Sequence, residues 1–390
     1  MAVLEKLLSV LFLGLLVIAL PLSETARITF NELAITLIDA GVILAVLFWL
    51  FTKKKIPSSS LKKPVLIFAA ALLISLLINV PRLNVNELLF SSLYLVRWVF
   101  YALLYFVVLD ISSSRKKIEK GMVAGGALLV IGGFIQYFLY PDLRNLYYAG
   151  WDEHLYRMFS TFLDPNFAGI FFVLYLLFTM DKLLIKPTLF LKLFSLLTTA
   201  AIIFTFSRSA YISLAIGLTT LLFLKGRKSI ATTLAVIFIL AVIVVMQFIP
   251  KTEGTNLLRI ASGEARLDSM RNAITIFKDH PIFGVGFNSY RYAQRNYGFL
   301  NEEKKIVHSG AGTDNSFLFI LATSGIIGFI AFLYLLFNIL LIKESLITAS
   351  MAALIVSSLF INSLFYPPVM LWMWILLGTL PACRQVRRNT

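Results

Sequence analysis

Apolar runs long enough to cross a bilayer recur from one end of the chain to the other, separated by short polar connections. They cover residues 7–22, 32–52, 64–80, 87–109, 121–140, 166–180, 188–206, 210–224, 229–249, 317–342, 345–364 and 367–382. A hydrocarbon core about 30 Å thick takes about 20 apolar residues as a helix. Backbone groups there have to be satisfied within the segment, so each run is expected to be a helix. The pattern predicts an all-α fold: a polytopic transmembrane helical bundle of about 12 spans. Residues 1–390 form one membrane domain, with no internal repeat or low-complexity tract. The first run is long for a signal-peptide core and no small-x-small cleavage site clearly follows it, so it is read as a retained span.

Composition agrees. Hydrophobic residues make up 59% and charged residues 14%, against about 45–50% and about 25% in soluble globular domains. The net charge of +15 is mostly a topology signal. Lys53, Lys54, Lys55, Lys62 and Lys63 fall between the second and third runs. Arg115, Lys116, Lys117 and Lys120 follow the fourth, Lys182 and Lys186 the sixth, and Lys225, Arg227 and Lys228 the eighth. Lys343 follows the tenth, and Arg384, Arg387 and Arg388 close the chain. Every second connection is short and basic, which places these connections and both termini on the cytoplasmic side. Nucleic-acid binding is not needed to explain the charge. Cys383, the single cysteine, is expected on the same side and has no internal partner for a disulfide.

Two outer connections are long, 141–165 and 250–316. In the second, Leu267, Met270, Ile274 and Phe277 recur at helical spacing after Ser262, a candidate N-cap. Pro281 stops that helix, Gly284 and Gly286 make a tight turn, and a shorter helix is expected around 288–297. The segment reads as a small helical outer loop lying on the membrane surface. It carries Arg259, Arg266, Arg271, Arg291 and Arg295 beside Glu264, Asp268 and Asp314. Most of these arginines are expected to pair with neighbouring acids. A guanidinium fork aimed at phosphate is the alternative use.

Four short motifs lie on this outer face. Arg157-Met158-Phe159-Ser160-Thr161-Phe162-Leu163-Asp164-Pro165-Asn166-Phe167-Ala168-Gly169 leads into the sixth run. Phe206-Ser207-Arg208-Ser209-Ala210 forms a very short turn. Arg266 opens a helix ending in Asp279-His280-Pro281-Ile282-Phe283-Gly284-Val285-Gly286. Thr313-Asp314-Asn315-Ser316-Phe317 precedes Gly325-Ile326-Ile327-Gly328-Phe329. In this order and on this topology the set resembles the O-antigen ligase and O-antigen polymerase superfamily. The motifs span about residues 150–342, and the topology the whole chain.

The resemblance implies a membrane glycosyltransferase of the cell envelope. It would transfer or polymerise a polyprenyl-diphosphate-linked glycan, such as one on undecaprenyl diphosphate, in surface polysaccharide or lipopolysaccharide biosynthesis. It implies a glycan or lipid acceptor, and an active face on the periplasmic or extracellular side of the cytoplasmic (inner) membrane. It also implies a metal-independent route with no cofactor. In keeping with that, no His/Cys/Asp cluster has metal-ligand spacing. Arginines would then neutralise the leaving diphosphate. Arg208, Arg266 and Arg157 are the candidates for donor-diphosphate binding, and Asn166, Asn315, Gly284 and Gly286 for structural and positioning roles.

The chain departs from the ligase pattern at the base. Ligases typically carry His directly before the Asn–Ser pair, and Asp314 stands there, as in many polymerase-like members. Polymerase is therefore slightly favoured over ligase. His308 is the alternative base, and an N-cap is the structural alternative for Asp314. His280 reads as structural, and His154 is unassigned. Asp39 and Arg97 lie deep in the expected spans, where charges either pair or serve function. A mutual pair is favoured over a role for Arg97 near the lipid diphosphate. A multi-span transporter or flippase is the competing reading. Against it stand the concentration of polar residues at one surface and the lack of a matched pair of broken helices.

Overall fold

The structure is a computed structural model, and it describes residues 2–30, 33–52, 56–111, 114–144, 146, 154–257, 261–300 and 312–380. Helix α1 (Ala2–Gly14) passes through a π-helical turn (Leu15–Ala19) into the single turn α2 (Leu20–Leu22). A short hairpin follows, β1 (Arg27–Phe30) and β2 (Leu33–Thr36), antiparallel with Arg27 opposite Thr36. Then come α3 (Leu37–Thr52), α4 (Lys62–Ile78), α5 (Val85–Asp110), α6 (Arg115–Leu139), α7 (Pro165–Ile185), α8 (Leu189–Phe204), α9 (Arg208–Leu224) and α10 (Lys228–Phe248). The long polar connection supplies α11 (Ala261–Asp279) and α12 (Tyr290–Asn296). Three helices follow it, α13 (Ser316–Leu340), α14 (Ser345–Ser357) and α15 (Pro367–Thr379). Of the basic residues read as topology signals, Lys53, Lys54, Lys55, Arg384, Arg387 and Arg388 lie outside the described residues, as does Cys383.

Every expected apolar run contains a helix. Among the described residues, six helices are long and apolar enough to cross a membrane by length and composition. The expected count of about 12 spans is not established by that measure, because helices such as α3, α8, α9, α14 and α15 are shorter. The helical bundle carries one addition, the hairpin, which replaces the first part of the second expected run. The reason is local: Thr36 and Asp39 build a helix start at this point. The Asp39 carboxylate accepts the Thr36 N–H at 2.8 Å, and the Asp39 N–H reaches the Thr36 hydroxyl at 3.3 Å. That reciprocal cap starts α3 at Leu37.

Asp39 therefore lies in the first turn of α3 and not deep in a span. It pairs with Arg97 at 3.1 Å and accepts from the Tyr101 hydroxyl at 2.9 Å. The expected mutual neutralisation is present. Further charged pairs occupy the other end of the bundle. There Lys182 pairs with Glu119 and Lys225 with Asp181, at 2.7 and 2.8 Å.

α7 is enclosed along nearly its whole length: Ile170, Phe171, Phe172, Val173, Leu174 and Tyr175 are all fully covered. A helix that is hydrophobic all round belongs at the centre of a bundle.

α13 is broken towards its N-terminal end. Gly325 sits at φ 62°, ψ −166° inside the helix, a region essentially closed to residues with a Cβ. The connection that carries α11 and α12 fills the break. Val285 and Gly286 donate their N–H groups to the Ala322 and Thr323 carbonyls at 3.1 and 2.9 Å, and Ile326 N–H donates to the Pro281 carbonyl at 2.8 Å. The Ser75 hydroxyl of α4 lies 2.8 Å from both the Phe283 and Thr323 carbonyls. Backbone groups freed by the break are thereby satisfied by the connection. Gly284 and Gly286, expected to form a turn, have φ of 66° and 102°. A Cβ on Gly284 would lie 2.3 Å from the Thr323 carbonyl carbon, so close approach as well as conformation calls for glycine there.

Candidate functional site

Three helix starts meet at one end of the bundle. Asp164 caps α7, its carboxylate accepting the Asn166 and Phe167 N–H groups at 2.6 and 3.3 Å, with Pro165 in the first turn. Ser207 precedes α9 but makes no side-chain cap. Its hydroxyl instead donates to the Asn166 side-chain oxygen at 2.9 Å. This ties the start of α9 to the start of α7 and leaves Arg208 as the first residue of its helix. Gly169 permits the approach, since a Cβ there would lie 2.6 Å from the Ala210 Cβ.

Arg157 is 3% exposed. Its guanidinium donates to the Thr205 carbonyl at 2.9 Å, and to the Phe206 carbonyl and Asn166 side chain at 3.4 Å. Phe206 has φ 48°, so Arg157 braces a turn in the left-handed region. Arg157 thus lies among the carbonyls of the turn that precedes Arg208. The Asn166 side-chain oxygen joins it to Ser207.

Asn315, not Asp314, caps α13. Its side-chain oxygen accepts the Phe317 and Leu318 N–H groups at 2.9 and 3.0 Å. The structural alternative for Asp314 is therefore taken by its neighbour. Among the described residues the Asp314 carboxylate makes no hydrogen bond or ion pair. Its pKa is pushed up to about 6 by burial, with the Asp164 charge adding to the rise and Arg266 opposing it. Arg266 has its own pKa lowered by burial and feels Asp314, Asp164 and Arg208. Two arginines and two carboxylates from four parts of the chain thus share one electrostatic neighbourhood. Tyr290 of α12 belongs to it too, its pKa raised by burial and by the Asp314 charge.

The face of α11 that packs inward differs from the expected stripe. Ala273 and Ile276 are buried, while Leu267 and Ile274 are 52% and 40% exposed. Arg266 and Ser269 precede Ala273 on the inward face, at spacings of three and four residues. Arg271 pairs with Asp268 at 3.0 Å on the exposed side, as expected for a solvated face. His280 is structural here, with Arg82 at 3.0 Å from its Nδ1 and its pKa lowered by burial and by that charge. His308 and Arg259 lie outside the described residues. Among the described residues no group of three or more His, Cys, Asp or Glu side chains is arranged to hold a metal ion.

Residues 193–333 match the O-antigen ligase family. The match supports the O-antigen ligase and polymerase superfamily, and with it a membrane glycosyltransferase-like role in surface polysaccharide biosynthesis. It runs from α8 into α13 and contains Arg208, Arg266 and Asp314, whereas Arg157 and Asp164 precede it. No curated protein matches the chain. Asp164 was not among the expected site residues, although Asp followed by Pro reads as a helix start. Ser269 and Tyr290 carried no such signal.

Proposed function

We propose that the chain is a membrane glycosyltransferase that acts on a polyprenyl-diphosphate-linked glycan, as a polymerase in preference to a ligase. The observation that carries the reading is the convergence of Arg208 and Arg266 with Asp314 at one end of the bundle. The acceptor hydroxyl oxygen attacks the anomeric carbon of the donor sugar, and the bond from that carbon to the diphosphate oxygen breaks. Asp314 takes the hydroxyl proton. Arg208 and Arg266 hold the departing lipid diphosphate by charge-assisted contacts. Arg157, Asn166 and Asn315 position the helix starts that carry this machinery, and Gly284 and Gly286 fasten the long connection to α13. His308 is the alternative base. The active face is the outer one, opposite the basic connections.

The test is incubation of purified protein with radiolabelled polyprenyl-diphosphate glycan. Transfer to an acceptor supports the enzyme, and movement across a vesicle without chemical change supports a transporter or flippase. In a deletion strain, loss of chain length with attachment retained identifies a polymerase. Long lipid-linked polymer left unattached identifies a ligase.

A further inference from the structure

Ser269 links the helix that carries Arg266 to the segment that carries Asp314. Its hydroxyl accepts the Asp314 N–H at 3.1 Å and donates to the Thr313 hydroxyl at 3.3 Å. Its carbonyl lies 3.5 Å from the Tyr290 hydroxyl of α12. A serine inside a helix commonly turns its hydroxyl back onto its own helix. Here both hydrogen-bonding roles of the hydroxyl are used across elements instead. Thr313 is 2% exposed, so the junction is shielded from water.

We infer that Ser269 is a positioning residue that holds Asp314 in register with Arg266 across the acceptor and diphosphate halves of the site. The inference rests on the function proposed above. Asp314 has no side-chain hydrogen bond among the described residues, so its backbone anchor fixes where its carboxylate stands. Arg266 lies three residues before Ser269 on the same face of α11, and one hydroxyl therefore sets the spacing of base and arginine. The charged and titratable groups facing Asp314 are Arg266 from α11, Asp164 from the start of α7 and Tyr290 from α12, with Arg208 beside Arg266. Small misplacements of a catalytic group cost up to about a hundredfold in rate.

The experiment uses the purified full-length protein and the lipid-linked glycan extracted from a deletion strain. Ser269→Ala is expected to lower kcat about ten- to a hundredfold with little change in donor KM. Its acidic limb is expected at lower pH, because a loosened Asp314 is better hydrated. Ser269→Thr keeps the hydroxyl and is expected to restore most of the rate. Adding Ser269→Ala to Asp314→Asn is expected to cost nothing further, since Ser269 acts through Asp314. Parental kcat and an unchanged limb in Ser269→Ala, with Asp314→Asn strongly impaired, overturn the inference and leave the proposed function standing. Additive losses in the double variant overturn it as well. Parental turnover in Asp314→Asn overturns the base assignment and the inference with it.

Discussion

Asp314 and Arg266 face each other electrostatically without closing an ion pair. Each shifts the proton equilibrium of the other, yet no hydrogen bond joins them among the described residues. A closed pair would be satisfied and inert. An open one leaves the carboxylate available to a hydroxyl and the guanidinium available to an anion.

The raised pKa of Asp314 changes the pH expectation. A carboxylate at its ordinary value would be ionised throughout the neutral range, and only His308 would give an acidic limb near about pH 6–7. With Asp314 at about 6, the carboxylate alone predicts loss of transfer as pH falls through about 6. The limb should vanish from any residual activity in Asp314→Asn and persist in His308→Gln. Rates of both variants across about pH 5–9 check this, and a limb lost only in His308→Gln transfers the role to the imidazole.

The same shift has a consequence for stability. A carboxyl whose folded pKa lies above its unfolded value favours the folded state most at low pH, and that contribution is lost as pH rises through about 6. Asp314→Asn should therefore raise Tm relative to the parent at about pH 8 while sharply lowering transfer. Thermal unfolding in detergent at about pH 5 and about pH 8 tests the sign. A variant Tm below the parent's at the higher pH contradicts it.

Arg208→Lys and Arg266→Lys keep the charge and lose the planar fork. One charge-assisted contact is worth about 1.5–3 kcal/mol, which corresponds to a loss of about ten- to a hundredfold. Near-normal turnover in both Arg208→Ala and Arg266→Ala, at matched protein levels, removes them from the diphosphate site.

Gly325→Ala should detach the long connection from α13. A Cβ at Gly325 would lie 2.2 Å from the Ile282 carbonyl oxygen, and the backbone there suits glycine alone. Strain and overpacking together should cost about 2–4 kcal/mol. Limited proteolysis of the 250–316 segment reads the effect. Parental protection would show that the junction tolerates a methyl group.

The alternating basic connections predict residues 250–316 outside and 110–120 inside. An impermeant thiol reagent applied to intact cells should label a cysteine introduced at exposed Lys278 and leave one at Lys117 unmodified. Strong labelling at Lys117 reverses the arrangement.

The helices were legible because hydropathy in a membrane chain is a long, redundant signal. The β1–β2 hairpin was not, because the apolar run that continues into α3 already begins inside it at Leu33, and only the Thr36–Asp39 cap marks where the helix starts. Motif order singled out Arg208, Arg266 and Asp314 as candidates. Their convergence with Asp164 was not, since it depends on contacts between helix starts far apart in sequence. The inward face of α11 was hidden for a related reason. Its apolar periodicity is carried by Leu267 and Ile274, which are exposed, while small Ala273 and polar Ser269 face the bundle.

The break in α13 also bears on how the protein is made. Without residues 281–287 in place, the Ala322 and Thr323 carbonyls and the Ile326 N–H lose the partners that the connection gives them at the kink. In hydrocarbon such groups are costly to leave unmet. The segment that meets them precedes α13 in the chain, so it has already left the ribosome when that helix enters the bilayer. Order of synthesis and order of assembly thus coincide, and exchanging the loop between relatives would require moving the kinked helix along with it.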